Sequence, residues 1–294
     1  MSTKTKRTKQ AEEITEAVAR YIEESGTLPW RSGWQTTGLR PFNLDSGKPY
    51  RGVNVLLTQI SAMTHGFTSS AWLTYKQAQS MGGQVRKGEK GTRIVFWKII
   101  EKNAPEGSDS KPDTFAMMKH YTVFNLDQID GIEWSPEVGE PVDVPDAIEE
   151  IVRGYKNRPA IEHVAQDRAY YTPDRDTITL PELGQFDSTE AYAETLFHEL
   201  THSTGHADRL NREMSGRECL GTYAKEELVA ELGAAFLMAD AGIEANLPMM
   251  ADYIQGWLKA LKNDHTLIIA ASQAAQKAVD HIAPVIEPAE TVAA

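Results

Sequence analysis

Apolar residues at helical spacing open the chain. Between residues 11 and 24 they recur every three or four positions, the pattern of an amphipathic helix that buries one face. This face is formed by Ile14, Val18, Tyr21 and Ile22. Gly26 then ends the pattern, because glycine favours the end of a helix. Residues 53–63 and 73–81 predict two further helices.

Strand patterns replace the helical ones after residue 90. Residues 91–100 and 118–126 are rich in β-branched and aromatic side chains, and the polar segment between them contains glycine and proline. The two runs therefore predict a β-hairpin. Residues 127–144 concentrate glycine, proline and acidic residues, as a linker does. The sequence thus predicts two domains, each with its own core, over residues 1–130 and 145–294.

The second predicted domain begins with short elements. Residues 146–155 predict a helix, and a small sheet is predicted from three short strands at 161–165, 169–172 and 177–180. Two apolar helices follow, the first starting near Ser188 and the second near Tyr223, and two more helices complete the chain. The predicted fold class is α+β in both domains, and in the second the small sheet packs on these two apolar helices.

The first of these helices carries an HExxH run, formed by His198, Glu199 and His202 with two residues between. Positions four apart lie on the same face of a helix, so both imidazoles can reach one zinc ion. Glu199 would then stand beside the water that the metal activates, where it can act as general base. A catalytic zinc site takes three protein ligands, so a third ligand must come from elsewhere in the chain.

Two carboxylates are candidates for the third ligand. Glu227 lies in the next apolar helix, and Glu231 one turn later could orient a ligand imidazole. Asp208 is the alternative, because the spacing from His202 through Gly205 fits the metzincin frame with Asp in place of its last His. We favour Glu227, since glutamate is a standard partner of two histidines in catalytic zinc sites. The predicted ion is Zn²⁺, or another divalent transition metal such as Mn²⁺.

Charge is distributed unevenly along the chain. The whole sequence has 30 Lys and Arg against 42 Asp and Glu, a net charge of −12. Residues 1–100 reverse this balance, with 15 basic against 7 acidic residues. A basic portion attached to an acidic one is typical of a nucleic-acid-binding module, because phosphates are drawn to a locally positive surface.

Aromatic residues alternate with cations in this basic portion, as in proteins that hold single strands by base stacking and phosphate neutralisation. No helix-turn-helix or zinc finger is visible, so we expect a single strand of nucleic acid as the main partner and no sequence-specific recognition of a duplex. The alternative is that most of these rings form core. The predicted contacts are Trp30, Arg31, Trp34, Lys48, Tyr50, Arg51, Asn54, Trp72, Tyr75, Lys76, Arg86, Lys87 and Lys90.

The sequence indicates no export or membrane segment. No apolar run approaches the length of a membrane span, and the basic N-terminus lacks the apolar stretch of a secretion signal. Cys219 is the only cysteine, which excludes an intrachain disulfide. These features predict a cytoplasmic protein without a membrane partner.

Six motifs of the chain are specific in combination. They occupy residues 28–30, 47–54, 72–77, 82–91, 198–206 and 223–231. Together they resemble the ArdC-type antirestriction proteins of conjugative plasmids. The resemblance implies an N-terminal domain that binds single-stranded DNA, with double-stranded DNA as a weaker partner, and a C-terminal zincin-like metallopeptidase domain. It also implies protection of incoming plasmid DNA from host restriction endonucleases.

Two function classes remain open on the sequence. In the first, the metal centre is a peptidase that acts on DNA-bound proteins or on the chain itself. In the second, the protein protects DNA only by coating it, and the metal site is structural or idle. A metal-dependent nuclease is disfavoured, because such sites usually gather carboxylates around two ions rather than an HExxH run.

Overall fold

The computed structural model describes residues 3–31, 40–101, 114–135, 143–214, 220–244 and 251–283. It confirms the predicted α+β class and the two-part layout. The N-terminal elements are, in chain order, α1 (Thr3–Ser25), β1 (Phe42–Asn43), α2 (Val53–His65), β2 (Ala71–Thr74), α3 (Tyr75–Ser80), β3 (Gln84–Val85), β4 (Thr92–Glu101), β5 (Thr114–Asn125) and β6 (Ile129–Asp130). The C-terminal elements are α4 (Val144–Gly154), β7 (Ala160–His163), β8 (Tyr170–Thr172), β9 (Thr177–Leu180), α5 (Thr189–Ser203), α6 (Leu220–Asp240), α7 (Ala251–Asn263) and α8 (Leu267–Ile282).

The N-terminal sheet is built around the predicted hairpin. Its strand order is β1-β2-β5-β4, in which β4 and β5 pair antiparallel. Helix α2 packs on β4, and Asn54 fixes this contact because its amide bonds both the carbonyl oxygen (2.7 Å) and the backbone N–H (2.8 Å) of Val95. The side chain of Asn54 is therefore a buried structural bridge between helix and sheet.

The expected helix over residues 73–81 is wrong at its start. Residues 71–74 form β2, and the helix begins only at Tyr75. Ala71, Trp72 and Leu73 are all buried, and such a short continuous apolar run fits a buried strand as well as a helix. Thr74 then caps α3, since its hydroxyl accepts from the backbone N–H of Gln77.

The C-terminal sheet has three strands in the order β7-β9-β8. Strand β9 is central and all four of its residues are buried, because it pairs on both edges and α5 packs on it. Helix α5 begins at a cap, where the Ser188 hydroxyl accepts from the backbone N–H of Ala191 (3.2 Å). The small sheet thus supports the helix that carries the HExxH run.

Helices α5 and α6 approach each other unusually closely. A Cβ placed on Gly233 of α6 would lie 2.5 Å from the Thr201 hydroxyl oxygen of α5, so only glycine fits there. Helix α6 is buried on nearly all sides from Leu228 to Ala239, since it packs on α5 on one flank and on α8 on another. This contact fixes the spacing between the two helices.

The two parts of the chain share one apolar core, so the expectation of a separate core in each domain is wrong. Helix α1 packs on α7 and α8, and the Trp30 ring meets the Trp257 ring edge-on at 6.3 Å. A single cluster of buried side chains runs from Ala11 to Ile282. The predicted linker falls partly on residues 136–142, outside the described residues, and the domain bounds stay a prediction.

Within the described part of the chain, no helix combines the length and apolar character needed to cross a membrane.

We predict that Gly233→Ala destabilises the fold by about 1–3 kcal/mol, because the added methyl must push α6 away from Thr201. Gly256→Ala is the matched control, since Gly256 lies exposed within α7 with open space around its Cβ position. It should stabilise by up to about 1 kcal/mol through helix propensity. Urea unfolding of both variants measures the difference. Equal stability of the two variants would contradict the close helix contact.

Candidate metal centre and nucleic-acid surface

The two histidines of the HExxH run lie side by side on one face of α5. Their Nε2 atoms are 3.1 Å apart, and their ring centroids are 4.7 Å apart. The spacing of four residues on a helix produces this arrangement, as the sequence pattern predicts. Both rings face α6, the helix that packs on α5.

Glu227 of α6 completes a cluster with these histidines. One carboxylate oxygen lies 3.7 Å from Nε2 of His198, and the other lies 3.6 Å from Nε2 of His202. In a tetrahedral zinc site with bonds near 2.1 Å, neighbouring ligand atoms are about 3.4 Å apart. The ligand atoms of the three side chains all lie within 4.8 Å of one another, close to the spacing that one divalent ion requires. Among the described residues they are the group whose ligand atoms converge in this way.

Asp208 does not join the cluster in this structure. Its side chain is 90% exposed, and its carboxylate faces the ring of His206 at 3.7 Å. Its backbone N–H also donates to Nδ1 of His206 (3.2 Å). The third member of the cluster in this structure is therefore Glu227 and not Asp208.

Glu226 orients the second histidine, a role that the sequence pattern did not indicate. Its carboxylate lies 3.3 Å from Nδ1 of His202, on the ring edge opposite to the cluster. Arg212 holds Glu226 with two hydrogen bonds, of 2.6 and 3.0 Å. Histidine ligands of metals commonly donate their second N–H to a carboxylate in this manner, which fixes the tautomer and the ring. The adjacent acids Glu226 and Glu227 thus reach opposite sides of one imidazole.

Glu231 forms a charged contact with the N-terminal part of the chain. Its carboxylate oxygens accept from Arg31 at 2.9 and 3.2 Å. Arg31 also pairs with Glu194 of α5 at 3.2 Å. An arginine that the sequence assigned to DNA binding therefore reaches from the N-terminal part to both helices of the metal cluster.

The cluster is a negatively charged environment that favours a cation. Burial lowers the pKa of His198, but the hydrogen bond to Glu227 and the charges of Glu199 and Glu231 outweigh it and raise that pKa to about 9. Burial raises the pKa of Glu227, but the hydrogen bond from His198 and the charges of both histidines bring it below its usual value. A proton on His198 must leave before its nitrogen can bind a metal.

Glu199 and Tyr223 lie beside the cluster. Glu199 is almost fully buried, and its carboxylate is close enough to raise the pKa of His198. Tyr223 stands one helical turn before Glu227 and forms a hydrogen bond with its carboxylate. A base and a hydroxyl group are therefore present next to the atoms that could hold an ion.

The predicted nucleic-acid contacts separate into two groups by exposure. Trp30, Tyr50, Asn54 and Trp72 are buried, so their side chains offer no face to a base in this structure. Arg31 is bound to acidic groups, and Trp34 lies outside the described residues. Exposed side chains remain at Lys48, Arg51, Tyr75, Lys76, Arg86, Lys87 and Lys90.

Two exposed aromatic side chains were not singled out by the sequence pattern. Phe96 of β4 is 48% exposed and Tyr121 of β5 is 45% exposed. Phe96 lies in a continuous apolar run and Tyr121 lies between His120 and Thr122, so neither segment shows the alternation that distinguishes a buried from an exposed face. Which ring faces outward therefore follows from the packing of the sheet and not from local sequence.

Comparison with protein families gives a match to each part of the chain. Residues 8–124 match a family described as the N-terminal domain of anti-restriction factor ArdC. Residues 146–274 match a family described as zincin-like metallopeptidase. The metal cluster lies within the second match, and the exposed rings and cations lie within the first.

Two solved structures are similar over nearly the whole chain. The metal-free crystal structure of the antirestriction protein ArdC from plasmid R388 has 36% sequence identity and a TM-score of 0.74. Its Mn(II)-bound structure has 38% identity and a TM-score of 0.73. Each comparison covers 92% of this chain and 96% of the other. The zincin-like match and the Mn(II)-bound relative point to a divalent metal ion, and the N-terminal match points to an interaction with DNA.

Curated relatives include proteins of very different length. Two DNA primase TraC proteins of Escherichia coli are 35% and 34% identical over 288 and 289 residues. The chain spans only 20% and 27% of their lengths. The protein y4eC of Sinorhizobium fredii (strain NBRC 101917 / NGR234) is 36% identical over 282 residues, which cover 92% of this chain and 90% of y4eC.

We predict that Glu226→Gln weakens the binding of Zn²⁺ and of Mn²⁺ by about 10- to 100-fold, because His202 loses its charged partner. Glu213→Gln is the control, since Glu213 is exposed in the same connection between α5 and α6. Competition with a chromogenic chelator measures both affinities. An affinity of Glu226→Gln equal to that of the control would refute the orienting role.

Proposed function

The chain belongs to the ArdC-type antirestriction proteins, and we propose that it binds single-stranded DNA and carries a zinc-dependent peptidase centre, so as to protect incoming plasmid DNA from host restriction endonucleases. The observation that carries the peptidase part is the convergence of His198, His202 and Glu227 beside Glu199. The match of residues 8–124 to the ArdC N-terminal domain supports the DNA part. The site of action is the cytoplasm, where incoming DNA meets restriction endonucleases.

The side chains around the cluster have distinct tasks in peptide hydrolysis. When bound, a zinc ion would lower the pKa of a water to about 7 and polarise the scissile carbonyl. Glu199 takes a proton from the attacking water and later delivers it to the leaving amine, since it is the base adjacent to the ligands. Glu226 keeps His202 in the tautomer whose Nε2 lone pair faces the cluster. Tyr223 is placed to donate a hydrogen bond to the oxyanion of the substrate.

The relative from plasmid R388 bears on whether the ion is structural. That protein has been crystallised both metal-free and Mn(II)-bound, and the two structures resemble this chain equally well, with TM-scores of 0.74 and 0.73. A structural zinc site usually contributes to folding outright and is needed for the fold. The relative's fold does not need its ion, which favours a catalytic role for the corresponding cluster here.

Exposed cations support the DNA part of the proposal. Lys48, Arg51, Lys76, Lys87 and Lys90 all lie in the N-terminal part and are open to solvent. Phosphate contacts of this kind do not distinguish sequences, so the protein would bind any single strand. Duplex DNA would bind more weakly, because its bases are already stacked on one another and cannot stack on the protein. DNA binding brings the peptidase centre to its substrate, either a DNA-bound protein or another copy of the chain.

We predict that Glu199→Gln retains the divalent ion but loses peptidase activity by a factor of at least about 100, because the general base is removed. Glu190→Gln, on the first turn of the same helix, serves as the control. The measurements are metal content, cleavage of DNA-bound proteins, and survival of unmodified plasmid DNA in a restricting host. Full protection by Glu199→Gln would show that coating of the strand alone is sufficient and would remove the catalytic part of the proposal.

We predict a steep dependence of single-strand binding on salt. If about five cations contact phosphates, the slope of log K against log salt is about −3.5, since each contact on a single strand contributes about −0.7. Lys87→Ala should lower the affinity and reduce the slope by about 0.7, whereas Lys156→Ala, exposed in the C-terminal part, should change neither. Fluorescence anisotropy over a salt series measures both. Tighter binding of duplex than of single strands would contradict the proposal.

A further inference from the structure

An open groove of about 740 Å³ runs between the N-terminal sheet and α8. We refer to it as the sheet–helix groove. The rings of Phe96 and Tyr121 on the sheet line it, and we call them its floor. Three cations also line it, and we call them its rim: Lys277 of α8, and Lys48 and Arg51 of the segment between β1 and α2. None of these residues takes part in the metal cluster.

The floor of the groove consists of two accessible rings. The register of the hairpin pairs Ile94 with Tyr121 and Phe96 with Lys119, so Phe96 and Tyr121 are diagonal neighbours on one face of the sheet. Their centroids are 5.4 Å apart, and their planes stand at 89°. Phe96 is 48% exposed and Tyr121 is 45% exposed, so each ring has a face that a ligand can reach. The rings thus offer two stacking surfaces in different orientations.

The rim of the groove is positively charged. Lys48, Arg51 and Lys277 line it, against the one acidic residue Asp280 among the lining residues that the structure describes. Lys119 adds a further exposed cation on the same face of the sheet. Arg51 forms an ion pair with Asp280 of α8, and both side chains remain more than one third exposed. A phosphate can therefore approach the guanidinium of Arg51 from solvent.

Two aromatic rings beside three cations suit the binding of unpaired nucleotides best. Unpaired nucleotides present flat bases that stack on aromatic rings and phosphates that need positive charge. Duplex DNA fits less well, because the faces of its bases are already covered by their neighbours. A peptide would use the apolar floor but would leave the cations without partners.

We propose that the sheet–helix groove holds the unpaired DNA strand, with bases stacked on Phe96 and Tyr121 and phosphates against Lys48, Arg51 and Lys277. This assignment rests on the proposed binding of single-stranded DNA and specifies where that binding occurs. Helix α8 packs on α6, the helix that carries Glu227. The strand therefore touches the N-terminal sheet and the metallopeptidase part at once, and the N-terminal part alone forms only one side of its site.

The test uses the full chain and a fluorescein-labelled oligothymidylate in anisotropy titrations at fixed salt. Phe96→Ala and Tyr121→Ala should each weaken binding about 5- to 100-fold, because one stacked base contributes about 1–3 kcal/mol. Their salt slope should match that of the unaltered chain, since no phosphate contact is lost. Lys277→Ala should reduce the slope by about 0.7. Tyr121→Phe retains the ring and should bind normally.

Tyr170→Ala is the matched control, because Tyr170 is 42% exposed but lies on β8, outside the groove and outside the predicted nucleic-acid contacts. It should bind the oligonucleotide like the unaltered chain. Unchanged thermal unfolding of all variants would exclude a folding defect. Normal binding by both ring variants, with binding intact in the unaltered chain, would overturn the groove assignment alone. An unaltered chain that does not bind the oligonucleotide would instead remove the proposed function on which the assignment rests.

Discussion

The close contact between α5 and α6 is the constraint on which the candidate metal centre depends. The two histidines are fixed relative to each other by one helical turn, but their distance to Glu227 is set only by how near the two helices lie. Gly233 allows that approach, because its missing side chain leaves room for Thr201. Separations of 3.6 and 3.7 Å between carboxylate and imidazole atoms follow from this packing.

Acidic groups surround the two histidines, and their negative charge favours the binding of a cation. Glu199, Glu227 and Glu231 all raise the pKa of His198, and Glu226 pairs with His202 from the far side. Two arginines balance part of this charge, since Arg212 holds Glu226 and Arg31 joins Glu231 to Glu194. Because Arg31 comes from the N-terminal part, the two parts of the chain are joined by ion pairs as well as by a shared apolar core.

Local sequence signals predicted the histidine pair, because helical spacing places both rings on one face of α5. They also singled out Glu227 as a candidate ligand and Glu199 as a candidate base, and they predicted the β4–β5 hairpin and the α+β class. The roles of Glu226 and Arg31 could not be predicted, since they depend on the rotation of α6 about its axis and on a contact between residues 200 positions apart. The outward position of Phe96 and Tyr121 depends on how the sheet packs, and Trp30 and Trp72 proved to be core.

The central claim is that one divalent ion is held jointly by His198, His202 and Glu227. Anomalous diffraction from crystals of the zinc-loaded protein measures this most directly. We predict a single strong peak in the anomalous difference map, about 2.0–2.2 Å from Nε2 of both histidines and from a Glu227 oxygen. A peak coordinated by Asp208 without Glu227, or no peak between α5 and α6, would contradict it.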